Sequence, residues 1–254
     1  MKSAEKAIQF FYTIWVVLTY IPFMVFAVVV IIIAHNLFNE IKAHCIVLRY
    51  CRWWAAVWAF LCGIRIKVKY NPSIKEDQSY VFVSNHCSNL DAMVWAYAAR
   101  NSSKGLAKKE LLLVPFLGYI FSKVCVIVDR GDKESRRKSM ELLKAEMKKG
   151  ISLLIFPEGT RNKSNQPLQS FHSGAFRIAV ELHKPIVPVV ICNSGHLIPP
   201  GRALFRPGTV KCIFLEPISV EGKTETDIED LKSEAYRRME AVLLQEDVRF
   251  ASSA

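Results

Sequence analysis

His86 and Asp91 stand five residues apart in the run Val81-Phe82-Val83-Ser84-Asn85-His86-Cys87-Ser88-Asn89-Leu90-Asp91, where an apolar stretch ends in a polar cluster. With turn-forming residues between them, the carboxylate of Asp91 can fold back onto the imidazole. A hydrogen bond to one ring nitrogen fixes the tautomer and leaves the other nitrogen to act as a general base. This is a catalytic triad without its serine, so the nucleophile of such a site is a substrate hydroxyl. The same spacing also fits a structural pair, with Asp91 in the first turn of a helix at the positive end of its dipole. Cys87 is poorly placed as a nucleophile, since adjacent residues on an extended chain point apart. The remaining histidines show no metal-ligand spacing with His86, and no metal is expected.

A second apolar run, Ile151-Ser152-Leu153-Leu154-Ile155-Phe156, leads into Pro157-Glu158-Gly159-Thr160-Arg161. Gly159 permits close backbone approach, and Arg161 offers a planar fork that suits a phosphate. Taken alone, the default reading of this segment is a salt-bridged turn. The tripeptide Gly222-Lys223-Thr224 is not a phosphate loop of the nucleotide-binding kind, because Pro217 occupies the place of its first glycine.

These segments need a scaffold, and the pattern beyond residue 64 supplies one. Short β-branched runs alternate with helical segments, as in an α/β fold with a mostly parallel central sheet flanked by helices. Strands are expected at 65–70, 80–84, 124–128, 151–156, 186–191 and 210–215. Several are near-continuous apolar runs, as in a sheet covered on both faces. Helices are expected at 90–100, 109–121, 133–149, 174–183 and 225–244. Both chemical segments then leave strand ends, where open α/β sheets form their crevices.

The chain has 254 residues, 51% of them hydrophobic and 22% charged, which excludes a disordered chain. Its net charge of +11 points to anionic surroundings. Residues 7–39 carry no formal charge, a stretch of 33 against the roughly 20 that a helix needs to cross a bilayer. It crosses once, or Pro22 breaks it into two pieces that dip in and return. The run 53–64 is too short to span, and Trp53, Trp54 and Trp58 favour an interfacial or re-entrant helix at the headgroup boundary beside the first, with a buried core helix as the alternative. Basic residues on both flanks suit a monotopic anchor with both ends on the cytoplasmic side. The seven cysteines form no zinc or disulfide framework, and the odd count fits a reducing compartment.

The order Asn85-His86-x4-Asp91, then Phe156-Pro157-Glu158-Gly159-Thr160-Arg161, resembles the 1-acyl-sn-glycerol-3-phosphate acyltransferases of the glycerophospholipid acyltransferase family. Ala107-Lys108-Lys109-Glu110-Leu111 with Pro115-Phe116-Leu117-Gly118, Val124-Cys125-Val126-Ile127-Val128-Asp129-Arg130, Phe171-His172-Ser173-Gly174-Ala175-Phe176 and Ile186-Val187-Pro188-Val189-Val190 agree with it in the same order. The resemblance covers about residues 65–217. It departs at His172, where the family often has Lys, and that position is left out of the site.

The resemblance implies a hydrophobic membrane anchor over residues 1–64 and an α/β catalytic domain over 65–254. It implies acyl transfer from acyl-CoA or acyl-carrier protein, as co-substrate rather than cofactor, to the sn-2 hydroxyl of lysophosphatidic acid, giving phosphatidic acid. His86 is then the base and Asp91 its orienting partner. Lys108, Arg130 and Arg161 hold the substrate phosphate in a pocket shaped by Glu158, Gly159 and Thr160. The expected partners are a phospholipid membrane and these substrates, with no nucleic acid. The expected location is the cytoplasmic face of a bacterial inner membrane, or of the endoplasmic reticulum in a eukaryote. Another acceptor, namely glycerol 3-phosphate, another lysophospholipid or a lyso-aminolipid, is the first alternative, and a thioester hydrolase and a non-catalytic lipid-binding membrane protein are the others.

Overall fold

The computed structural model describes residues 3–129, 131–201 and 204–251. The chain opens with α1 (Ser3–Leu37) and α2 (Glu40–Leu61), which fold back on each other as an antiparallel hairpin. Asn39 starts α2 by accepting the Lys42 N–H at 3.0 Å. Ring donors on each helix reach carbonyls on the other: Tyr12 to Cys62, Trp15 to Leu61 at 3.0 Å, and Tyr50 to Phe23 at 2.7 Å.

Two expectations for this segment need correction. Pro22 does not break α1, which runs through it without interruption. One missing backbone bond is outweighed in a long helix packed along a partner. Nor do Trp54 and Trp58 sit at a headgroup boundary. They are buried, each edge-on to Tyr20 at 5.5 Å, because their spacing of four puts both on the face turned to α1. Trp53, on another face of the same turn, is exposed.

The hairpin lies along the rest of the molecule. At its tip the Glu40 carboxylate pairs with Lys149 at 3.2 Å and with Lys104 at 3.6 Å. At its base α2 passes through Gly63, at φ +59°, straight into β1 (Ile64–Lys69). After β1 the chain forms β2 (Val81–Ser84), α3 (Leu90–Ala98), β3 (Ser103–Lys108), α4 (Leu117–Val124), β4 (Cys125–Val128), α5 (Lys133–Lys148) and β5 (Ser152–Ile155). It ends with α6 (Gly174–Glu181), β6 (Ile186–Cys192), α7 (Ser194–Leu197), β7 (Gly208–Phe214) and α8 (Ile228–Glu246).

The seven strands form one sheet in the order β1-β7-β6-β2-β5-β3-β4, parallel at every pairing except β6 with β7. β2 and β6 are buried throughout and alternate between two cores. Phe82, Val187, Val189 and Ile191 face the core built with α2 and α3, whereas Val81, Val83, Ile186 and Val190 face the one built with α5, α6 and α8. Six strands lie where the sequence places them, within a few residues. β3 is an addition, and the helix expected over 109–121 is a short 3-10 turn (Lys109–Leu113), a bend at Pro115-Phe116, and α4.

This topology places the two chemical segments side by side. β2 and β5 are neighbours in register, with Val83 opposite Ile155, so the loops after them leave the same edge of the sheet. Asn85 extends the pairing one step past β2: its amide oxygen accepts the Ile191 N–H at 2.8 Å and its amide nitrogen donates to the Ile191 carbonyl at 2.9 Å. Substituting Asn85→Leu leaves both groups of Ile191 buried and unpaired. The expected loss is about 2–5 kcal/mol of stability, read as a lowered urea midpoint in detergent; an unchanged midpoint would show that this pairing is dispensable.

Candidate functional site

Asp91 lies in the first turn of α3, fully buried, and its carboxylate collects four donors. Oδ2 accepts the backbone N–H of Cys87 and of Ser88 and the Nδ1 of His86, each at 2.8 Å. Oδ1 accepts the Ser194 hydroxyl at 2.5 Å. A carboxylate without water is costly unless donors surround it, and here they do. The geometry accommodates both readings of this pair, since Asp91 shapes the turn and holds the ring with the same oxygen.

With a carboxylate beside Nδ1, the proton of a neutral imidazole is assigned to that nitrogen, which leaves the Nε2 lone pair free. No hydrogen bond to Nε2 is found among the described residues. The ring lies flat on Phe156, with centroids 4.2 Å apart and planes 19° from parallel, and its side chain is 20% exposed. The imidazole is thus fixed on one edge and one face and open at Nε2. Neighbouring hydroxyls and the thiol are committed elsewhere: Ser88 donates to the Ile198 carbonyl, Ser84 to the Asn85 carbonyl, and Cys87 lies 3.2 Å from the Ser194 hydroxyl. Burial, reinforced by Asp91, pushes the Cys87 thiol up to about 12, so it stays protonated and is no nucleophile at neutral pH.

The second loop grips the peptide of His86 from both sides. Glu158 accepts the His86 N–H at 2.8 Å with one oxygen and the Gln169 N–H at 3.0 Å with the other, while the Asn162 N–H donates to the His86 carbonyl at 2.6 Å. Glu158 is buried, and burial pushes its carboxyl up to about 7 against the pull of those two amides. Glu158, expected to shape the phosphate pocket, turns its carboxylate inward to two peptide groups. The default of a salt-bridged turn also gives way, because Arg161 bonds the side-chain oxygen of Asn89 at 2.7 Å instead of Glu158.

Gly159 has φ +70°, and an added Cβ would stand 2.8 Å from Cδ2 of His172, so the His172 imidazole packs where any larger residue would reach. Thr160 is exposed beside it. Lys108 is exposed at the end of β3, the strand paired to β5, and makes no contact that joins it to His86 or Arg161. Arg130 lies outside the described residues; its neighbour Asp129 forms an ion pair with Lys109.

Sequence reading missed Ser194, a hundred residues from Asp91, along with the brace behind it. Asp247, fully buried, accepts the Asn193 N–H at 2.8 Å and pairs with Arg249, whose guanidinium also reaches the Cys87 sulfur at 3.6 Å. The only advance signal was a polar cluster after an apolar strand, which Asn193-Ser194-Gly195 shares with the two segments singled out. Among the described residues no three His, Cys, Asp or Glu side chains are grouped to hold a metal ion.

Known proteins share this arrangement of sequence and fold. The acyltransferase family matches residues 65–192. An uncharacterized acyltransferase of Schizosaccharomyces pombe is 35% identical over 191 residues, covering 74% of this chain and 68% of its own. The 1-acyl-sn-glycerol-3-phosphate acyltransferase of Haemophilus influenzae is 27% identical over 79% of this chain and 82% of its own. The human 1-acyl-sn-glycerol-3-phosphate acyltransferase beta is 31% identical over 76% and 69%. In fold, the crystal structure of the 1-acyl-sn-glycerophosphate acyltransferase PlsC of Thermotoga maritima matches with a TM-score of 0.81 over 94% of this chain and 96% of that one, at 24% identity. The chain belongs to the acyltransferase family, among relatives that include 1-acyl-sn-glycerol-3-phosphate acyltransferases.

Proposed function

We propose that this enzyme moves an acyl group from the thioester of acyl-CoA or acyl-carrier protein to the sn-2 hydroxyl of lysophosphatidic acid, giving phosphatidic acid. The observation that carries the reading is a histidine oriented by a buried carboxylate and open at Nε2, with the hydroxyls of Ser84, Ser88 and Ser194 and the thiol of Cys87 engaged elsewhere. Such a base needs a nucleophile from outside. Nε2 takes the proton of the acceptor hydroxyl as its oxygen attacks the thioester carbonyl. The tetrahedral oxyanion collapses, the carbon–sulfur bond breaks, and the thiolate takes the proton back from the imidazolium. Asp91 stabilises that imidazolium through Nδ1. No acyl-enzyme forms, and no metal or cofactor takes part in these steps.

Arg161, Arg130 and Lys108 supply the positive charge for the acceptor phosphate, around the turn at Gly159-Thr160. Arg161 is held by a neutral amide, so transferring it to a phosphate breaks one hydrogen bond and no ion pair. Glu158 and Asn162 act as positioning groups for the His86 peptide. The membrane reading rests on α1, whose apolar run Ala7–Leu37 contains an 18-residue window with a mean hydropathy of 2.9 that is mostly not covered by protein. Because the Glu40 ion pairs tie the far end of the hairpin back to the α/β domain, α1 serves as a monotopic anchor in one leaflet, on the cytoplasmic face.

Three outcomes test this. His86→Ala lowers transfer by about 10²- to 10⁴-fold, the range of general base catalysis, with folding and membrane binding kept; near-normal phosphatidic acid formation, followed by mass spectrometry, would sink the mechanism. Arg161→Ala raises KM for lysophosphatidic acid about tenfold while kcat changes little, and an unchanged KM removes Arg161 from the phosphate site. Glu158→Gln turns an amide NH₂ against a backbone N–H and lowers kcat. It also removes a pH dependence. Between about pH 4.5 and about 7 the folded enzyme keeps a proton that the unfolded chain has released, so stability present below that window is lost as pH rises through it. Melting temperatures at pH 5 and pH 7.5 should therefore draw apart in wild type more than in Glu158→Gln, and equal differences in the two would contradict this account.

A further inference from the structure

We propose that residues 112–116 form a second membrane anchor, separate from the α1–α2 hairpin, which inserts into the lipid leaflet and holds the mouth of the catalytic site against it. The inference rests on the reading that the acceptor is a lipid. Within eight residues the large apolar side chains of Leu112, Leu113, Val114, Phe116 and Tyr119 are all exposed, and Leu113 is 84% so. An apolar cluster of this size on a surface marks a partner or a membrane.

The segment is built rather than loose. Its chain is pinned by Val114 N–H to the Leu111 carbonyl at 3.1 Å and by Gly118 N–H to the Val114 carbonyl at 2.8 Å. Gly118 is pressed so closely on Leu112 that an added Cβ would lie 2.4 Å from the Leu112 oxygen. Phe116 is held at φ +61°, a conformation that a bulky side chain disfavours. In water alone, nothing is gained by holding a phenylalanine outward at that cost, whereas a lipid phase rewards it.

Position and charge select lipid over a protein partner. The segment follows the end of β3, which pairs with β5, so it leaves the same sheet edge as the loops carrying His86 and Arg161. The α1 anchor is rooted at that edge as well, since Tyr12 and Trp15 bond the residues just before β1, and β1 runs opposite to β2 and β5. α4 packs against both helices of the hairpin, so the two apolar elements form one rigid unit around the site. Lys108 and Lys123 flank the apolar side chains, with Glu110 and the paired Lys109 between them, as expected of a segment entering anionic headgroups.

The test compares Leu113→Glu and Leu113→Phe with wild type on two acceptors: long-chain lysophosphatidic acid in phosphatidylcholine/phosphatidylglycerol vesicles, and a short-chain lysophosphatidic acid kept monomeric in solution. Leu113→Glu is expected to lose tenfold or more on vesicles and to stay within twofold on the monomer, with Leu113→Phe normal on both. Its half-saturating lipid concentration in vesicle flotation should rise at least threefold, with residual binding through α1. Equal rates on vesicles, or an equal loss on both acceptors, overturns the anchor. Should wild type make phosphatidic acid from neither acceptor, the functional reading fails instead. Flotation then still decides the anchor, an unshifted binding curve counting against it.

Discussion

Everything at this site depends on a carboxylate that never meets water. Asp91 is fully buried, and a charge there is tolerable only when its oxygens are saturated with donors. One oxygen takes the two amides of the turn and the imidazole, the other takes Ser194. The five-residue spacing from His86 follows from this geometry. Asp91 must lie in the first turn of α3 to reach back to Cys87 and Ser88, and the ring of His86 is a further donor within range. The orientation of the imidazole and the solvation of the buried charge are a single arrangement.

That arrangement needs a second loop to hold the other side of His86, and the strand order provides it. β5 is inserted between β2 and β3, although it follows both in the chain. The connection out of β2 therefore leaves in one direction and the connection out of β5 in the other, opening a crevice between their ends. Glu158 and Asn162 then meet the N–H and carbonyl of His86, which no strand partner occupies beyond Ser84. Asn85, by imitating a backbone toward Ile191, stops the sheet one residue before the base.

How legible this was in sequence varies with the physics of each residue. The apolar strands β2, β5 and β6 read clearly because both faces are buried and every position is apolar or small. β3 did not, because Ser103-Lys104-Gly105-Leu106-Ala107-Lys108 carries two lysines; Lys104 is accepted there through its pairing with Glu146 at 2.9 Å and with Glu40 at 3.6 Å. The tryptophans of α2 were assigned to a headgroup boundary by type, when the decisive fact was their shared face toward Tyr20. The helix expected over 109–121 failed at Pro115-Phe116, where the bend turns apolar side chains outward and period alone cannot say which way they face. His86, Asp91 and Arg161 were visible as chemical types after strands. The inward turn of Glu158 and the approach of Ser194 were not, since both depend on contacts between loops far apart in the chain.

Arg161 is tied to this frame. Its guanidinium rests on Asn89, the residue that precedes α3 and stands two before Asp91. Asn89 offers one neutral oxygen, where a phosphate offers several charged ones in the geometry of a guanidinium fork. Under the acyl-transfer reading, the acceptor thus replaces a weak partner of Arg161 with a stronger one and leaves the bonds of Asp91 untouched. The loop that carries Arg161 is also the loop whose Glu158 and Asn162 hold the backbone of His86, within four residues of one another. On that reading anion and base are held by the same short segment, Arg161 reaching from the loop whose Glu158 and Asn162 fix the His86 backbone. Placing a hydroxyl near a fixed base in this way lowers the entropic part of the barrier. It also favours an acceptor whose hydroxyl and phosphate share one short backbone.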